Sequence, residues 1–440
     1  MSAASQARRL NQDLEIVAFE RGAYVSYSAC GEPYYIGGLV DDLDQLVART
    51  PEQFAERDIE VHTHHEVTAI DLDRREVSVV DLGTESSRTI GFDHLMVSTG
   101  SRPLRPSYLR GVNLPGVVGL RTLEDADQIR QQLTVDDVKR VVIIGGGYIG
   151  IEVAEALIDR GIDVTMITSG SHVLENTMDA EMGALVDEAV RAYGIDLHTG
   201  SRVQCIQGSD RATGIGCDEM EFAADLIVIG LGAGPEVDLA KGAGIPLGAS
   251  GAIAVDEFQR TQLEGVWSAG DCAEVRHRVT GKPFNVALGT VANKSGRIAG
   301  DNIAATLNGS ELKPFPGAIG TAITKIGDTE ISRTGLKVDQ ARQAGFAPVV
   351  GQVTGTTTAG YWPAAERLDL MVIADEDTGK ILGAQIVGGR GAGKKIDVIA
   401  TAIWNDMTAE ELSWVDLSYA PPFGAVWDLI HIAARRAAGD

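Results

Sequence analysis

One cysteine stands out by its surroundings. Cys30 lies in the run SYSACGEP, between a strand-like stretch and a helix-like one, with Gly31 directly behind it. A thiolate at a helix N-terminus has a lowered pKa and is nucleophilic at neutral pH. Such a group attacks a disulfide and forms a mixed disulfide with a small thiol. Taken alone, a cysteine beside glycine is more often a small buried residue, so Cys30 needs supporting context. Positions 25 and 35 are Val25 and Tyr35, so no second cysteine lies five residues away on either side. Cys272 follows Asp271 and reads as packing, while Cys205 and Cys217 have no chemical context.

A second segment has the chemistry of phosphate recognition. Lys139 and Arg140 precede the apolar run VVIIG, a buried parallel strand. GGGYIG follows, then IEVAEALIDRG with apolar residues at helical spacing and Gly161 as a stop. DVTMIT reads as the next strand. This is a complete βαβ unit for a dinucleotide. Gly145 allows the tight turn, Gly147 lets the backbone approach a pyrophosphate, and Gly150 permits close helix–strand packing. Thr168 stands where an acid would bind the ribose 2′-hydroxyl, and TSGSHVLEN offers a 2′-phosphate only His172. Weak discrimination between NADH and NADPH is expected.

The N-terminus reads as the second half of another such unit: a helix over MSAASQARRLNQD, then the strand LEIVAFE ending in Glu20, where an acid would bind a ribose hydroxyl. From Gly145 to Thr168 is 23 residues, and the same count back from Glu20 falls before Met1. The expectation is that the first strand and its glycine loop are missing, through a misplaced start or a true truncation. Further along, residues 60–100 read as short strands, 224–232 as a buried strand, and 265–271 (GVWSAGD) as a strand running into a Gly-Asp turn. A helix is expected at about 289–307. From Pro314 alternating strands with glycine turns, then two helices, indicate a separate α+β domain.

Composition bounds the function. The 440 residues are long for one core and suggest two or three domains. A net charge of −24 argues against nucleic acid and anionic membranes as partners. No apolar run reaches ~18 residues, so no membrane-spanning helix is expected, and no apolar leader follows Arg8 and Arg9. The four cysteines show no paired spacing, which reads as a reducing, cytoplasmic setting. VHTHHEV places His62 and His64 on one expected strand face, with His65 and Glu66 beside them; a surface strand is favoured over a metal site.

These pieces, in this order, resemble the pyridine nucleotide–disulfide oxidoreductase family over nearly the whole chain. They are FERGAYVSYSACGEPYYIGG, STGSRP, GGGYIGIEVAE, GVWSAGDCAE, TVANKSGRIAGDNIA, TAITKIGDTEISRTGL and SYAPPFGAVWD. The two-cysteine motif is absent, so the resemblance is to the single-cysteine branch of coenzyme A disulfide reductases and NADH oxidases. It implies an α/β protein with two Rossmann-like domains plus a C-terminal α+β dimerisation domain. Residues 1–112 and 252–313 would bind FAD, 113–251 NADH or NADPH, and 314–440 would form a homodimer.

The resemblance also implies roles. Asp271, after Gly270, would bind the flavin ribityl chain, with Thr99 and Gly100 in the flavin-side turn. Tyr148 would gate the nicotinamide pocket and Glu152 would hold the carboxamide. Arg21, Ile149, Gly232, Ala287 and Leu288 complete the positions expected against a cofactor. Tyr361 and the partner subunit's Tyr419 would protonate the leaving thiol. Ser2, Gln6, Arg9 and Ser26 would bind the coenzyme A moiety. Ala29 stands where the branch often has Asn, and AGYWP lacks its usual His and second Tyr. Another low-molecular-weight disulfide or a persulfide therefore stays open. An oxidase or peroxidase cycling Cys30 through a sulfenic acid, and a flavin-poor nicotinamide-binding protein, are the competing readings.

Overall fold

The computed structural model describes residues 1–135 and 137–439. They divide into two compact units, Met1–Leu104 with Arg121–Gln131 and Ala233–Ala318, and Arg105–Leu120 with Gln132–Gly232 and Ile319–Asp440.

In the first unit, helix Ser2–Leu10 packs on helix Gly289–Asn308. The crossing is close because two glycines face the short helix. A Cβ on Gly300 would overlap the Ala3 carbonyl oxygen, and one on Gly296 would lie 3.3 Å from Ser2 Cβ. The long helix, expected at 289–307, ends where Gly309 takes φ +65°, a conformation glycine adopts without strain. Strand Ile16–Phe19 pairs in parallel with Ile59–His62, and Leu95–Val97 with Val266–Ser268. These are two separate two-stranded sheets. The antiparallel meander His65–Asp71, Glu76–Asp81, Ser87–Gly91 packs Val77 and Val79 into a core with Val97, Ile253 and Val266.

In the second unit, five parallel strands lie in the order Asp196–His198, Asp163–Ile167, Arg140–Ile144, Leu226–Ile229, Val117–Gly119. The two middle runs are buried on both faces, as their uninterrupted apolar sequences require. Each buried Val or Ile contributes roughly 1.5–3 kcal/mol of transfer free energy. The C-terminal part is a five-stranded antiparallel sheet in the order Ala322–Ile326, Thr329–Gly335, Ile381–Gly388, Arg367–Asp375, Pro348–Thr356. Where two terminal helices were expected, there are three: Ile396–Trp404, Ala409–Ser413 and Leu429–Ala437. The extra short helix starts at a capping box, Thr408 with Glu411, a signal present in the sequence.

The histidine expectation needs correction. His62 ends one strand and His65 begins the next, while His64 sits between them in a turn at φ +55°. The shared face does not form. The His62 ring stacks on Phe19 at 5.4 Å and its Nε2 meets Glu60 at 2.6 Å. No group of three or more metal-ligating side chains occurs among the described residues.

Candidate functional site

The glycine loop has the expected geometry. Gly145 takes φ +115°, and a Cβ there would run into the Gly230 carbonyl. A Cβ on Gly150 would come 2.5 Å from Gly145 O. Both glycines are demanded by the protein itself. Gly147 is different: its Cβ would meet nothing nearer than Gly230 O at 3.8 Å. Its openness is what a site reserved for a pyrophosphate needs. Gly147 is the N-cap of helix Tyr148–Asp159 with no side-chain cap, which leaves the first-turn N–H groups for an anion. Ile149 and Gly150 follow in that first turn.

Further along the helix, Glu152 accepts from Thr324 Oγ1 at 2.8 Å, and burial raises its carboxyl above the usual range. The Tyr148 hydroxyl is buried, and burial raises it above the usual phenol range. Thr168 follows strand Asp163–Ile167, and Gly232 takes φ +93° past Leu226–Ile229.

Cys30 sits in a single 3-10 turn, Ala29–Gly31, immediately before helix Glu32–Gly37. It is exposed, so a disulfide can reach it. Gly31 packs closely on Leu46, whose Cδ2 would have to move to admit a Cβ there. Cys272, by contrast, is buried with Sγ 3.6 Å from Val97 O, and Cys217 lies in a core cluster. Two residues past Cys30, Glu32 is 3% exposed and its Oε1 has no partner. Burial pushes its carboxyl up to about 8, opposed by Arg121 and reinforced by Asp125 and Glu124. Tyr27 is raised by burial first and by Glu32 next.

Arg121 joins these groups to Asp271, donating to its Oδ2 at 2.7 Å; Ser101 Oγ donates to the same oxygen at 3.1 Å. Gly270 turns at φ +87°. Thr99 Oγ1 donates to Glu236 O, and Gly100, at φ +74°, accepts from Glu236 N at 2.9 Å. Ala287 and Leu288 lead into Gly289–Asn308, a helix whose N-terminus has no side-chain cap and favours negative charge. Glu20 accepts from Gly22 N at 2.7 Å, and exposed Arg21 reaches Glu66 at 3.7 Å. An acid after a glycine turn, an uncapped helix start and a strand-end acid suit, in that order, the ribityl, ring and ribose parts of a flavin nucleotide.

All four residues expected against coenzyme A line one cleft of about 450 Å³ in the first unit: Ser2, Gln6, Arg9 and Ser26. Gln6 is held by Asp301 at 2.7 Å, and Ser2 by Asn293 at 2.8 Å. Arg49, Lys294 and Arg297, which sequence reasoning missed, share the cleft. The cleft adjoins the cysteine segment, since Ser28 N donates to Leu46 O and Ala48 N to Ser26 O, both at 2.8 Å. Four basic side chains lining one cleft of a chain carrying −24 are a local reversal of charge. In the second unit, Tyr361 is 76% and Tyr419 47% exposed. Their segments touch through Ala359 N to Pro421 O at 3.0 Å.

Residues 1–296 match the family described as pyridine nucleotide-disulphide oxidoreductase, and residues 321–429 match its dimerisation domain. The chain is 37% identical over 436 residues to the NAD(P)H coenzyme A polysulfide/persulfide reductase of Pyrococcus horikoshii, covering 99% of this chain and 95% of that protein. It is 33% identical over 439 residues to the NADH oxidase of Methanocaldococcus jannaschii, covering 99% and 96%. The crystal structure of reduced CoADR-RHD from Bacillus anthracis superposes with a TM-score of 0.94 at 31% identity, over 99% of this chain and 78% of that one.

Proposed function

Since the chain belongs to the pyridine nucleotide-disulphide oxidoreductase family, we propose that it reduces a phosphate-bearing, low-molecular-weight disulfide or persulfide, coenzyme A disulfide being the leading candidate. Electrons come from NADH or NADPH, and Cys30 carries the substrate. The observation behind this reading is the basic cleft beside the Cys30 segment. Arg9, Arg49, Lys294 and Arg297 suit phosphate groups through charge-assisted hydrogen bonds.

Residues 1–112 and 252–313 form the flavin part, 113–251 the nicotinamide part and 314–440 the dimerising part. Glu20, Thr99, Gly100, Gly270, Asp271, Ala287 and Leu288 would hold FAD, which when bound would pass an electron pair from the nicotinamide to sulfur. The rest is done by the chain. The Cys30 thiolate attacks one sulfur of R–S–S–R; the Cys30–S bond forms, the S–S bond breaks, and R–S⁻ leaves and takes a proton. Two electrons then cleave the mixed disulfide, restoring the Cys30 thiolate and releasing a second R–SH. The sum is NAD(P)H + H⁺ + RSSR giving NAD(P)⁺ + 2 RSH.

Tyr361 and the partner subunit's Tyr419 supply the protons. Pairing into a homodimer is supported by the exposed apolar residues of the C-terminal part, Trp414 at 72% and Phe423 at 76%. A Cys30 that cycles as a thiolate suits a reducing cytoplasm. No helix among the described residues is long and apolar enough to cross a membrane.

The test is turnover of coenzyme A disulfide with NADH and FAD, counting thiols colorimetrically. Two thiols per nicotinamide are expected. In Cys30→Ser thiol release falls to background while nicotinamide still reduces the flavin. Normal thiol release by that variant overturns the role of Cys30. Nicotinamide oxidation yielding water or peroxide without thiol overturns the disulfide reading in favour of an oxidase.

A further inference from the structure

The geometry points to Glu175 as the residue that makes the dinucleotide site select NADH over NADPH. This rests on the reading of Gly145–Gly150 as a dinucleotide loop. In a βαβ unit the adenine ribose hydroxyls lie past the end of the second strand, here Asp163–Ile167. Thr168 at that end is uncharged. The chain beyond it does not run away from the glycine loop. Leu174 N donates to Gly146 O at 2.8 Å. A Cβ on Gly146 would lie 3.0 Å from Val173 Cγ1 and 3.3 Å from Thr168 Cβ. Residues 168–175 therefore form a turn folded back beside the phosphate loop.

Glu175 closes that turn. Its Oε1 accepts from both Ser171 N and Ser171 Oγ, each at 2.9 Å. Its Oε2 faces Gly170, 2.6 Å from where a Cβ would stand, and Gly170 N donates to Thr168 Oγ1 at 3.3 Å. The carboxylate is thus fixed next to the residue at the strand end. The bonds from Ser171 hold it below the usual carboxylate range, so it is charged at neutral pH.

Two basic side chains nearby are held by carbonyl groups. His172 turns inward: Nδ1 meets Val173 O at 2.7 Å, and the 6% exposed ring lies against Gly183. Lys337 Nζ donates to the carbonyls of Glu175 and Met178. A 2′-phosphate would meet a fixed like charge in this turn, whereas a 2′-hydroxyl carries no such penalty.

The experiment measures dissociation constants of NAD⁺ and NADP⁺ for the full chain by titration calorimetry, at low and moderate salt. NAD⁺ binds more tightly by roughly tenfold, the ratio that about 1.4 kcal/mol corresponds to. Glu175→Gln, which keeps the Ser171 bonds and loses the charge, narrows the gap while NAD⁺ affinity stays within about twofold. Glu175→Arg narrows it further or reverses it. Melting temperatures of both exposed-site variants show that the fold is kept. Equal affinities in the wild type, or an unchanged ratio in both variants, overturn the inference alone. Failure of both nucleotides to bind overturns the dinucleotide reading and the inference with it.

Discussion

Two places in the molecule have features that suit phosphate, and they differ in means. The cleft of the first unit gathers long charged side chains, Arg9, Arg49, Lys294 and Arg297, from three separate stretches of chain. The glycine loop of the second unit uses backbone. Gly145 and Gly150 are fixed by close approach to Gly230 and to each other, Gly147 is left open, and a helix start supplies N–H groups. The 168–175 turn beside it carries a fixed negative charge, Glu175. Side-chain charge recognises any phosphate within reach and is screened by salt. Backbone N–H groups recognise one geometry and leave room for a neighbouring acid to reject an extra phosphate. A chain at −24 can therefore hold anionic ligands in both places without a basic surface overall.

The sharpest way to break this contrast is within the loop. Gly150→Ala pushes a methyl against Gly145 O; misfolding of the unit is expected, read as a melting temperature lowered by several degrees, since overpacking costs about 1–3 kcal/mol. Gly147→Ala has room in the protein and should leave the melting temperature unchanged while weakening NAD⁺ binding tenfold or more. A loss of stability equal to that of Gly150→Ala would mean that Gly147 is structural and not reserved for a ligand.

The cleft should fail differently. In the double variant Lys294→Ala, Arg297→Ala, the KM for coenzyme A disulfide rises about tenfold, taking about 1.5 kcal/mol or more for lost charge-assisted bonds. Its salt dependence weakens while kcat holds. A KM unchanged in the double variant would remove the cleft from substrate binding.

The smallest effect concerns the buried acid beside Cys30. Glu32 faces Tyr27, Arg121, Asp125 and Glu124, and its carboxyl stands at about 8 against an ordinary 4.5. The folded state holds that proton more tightly than the unfolded chain does. Stability from this group is therefore full below about 4.5 and is lost as pH rises toward about 8. In Glu32→Gln the denaturation midpoint should fall less steeply across that window. A slope identical to wild type would show Glu32 to be ionised in the fold.

Much was legible along the chain. The strand–glycine–helix run, the glycine that must precede Asp271, and the lone Cys30 with Gly31 behind it are local patterns, and local patterns constrain dihedrals and faces directly. Ser2, Gln6, Arg9 and Ser26 were named as one set from resemblance, and they do line one cleft. Three of the residues beside them were not found. Arg49 and Arg297 are separated in sequence by more than the whole 113–251 stretch, and although Arg297 lies in the TVANKSGRIAGDNIA run, that run does not reveal that its side chain meets Arg49 in one cleft.

The sequence by itself determined the α/β class and the family, and singled out Cys30 as the cysteine proposed to react, because each depends on residue types at short spacings. Only tertiary structure decided where charge counts. It brought the Gly289–Asn308 helix across Ser2–Leu10 so that Lys294 and Arg297 meet Arg9. It folded residue 174 back onto Gly146, which puts exposed Glu175 beside the strand end while His172 turns inward. It buried Glu32 where a carboxylate is costly. Electrostatic energies depend on distance and burial through space, and neither is written in the order of residues along a chain.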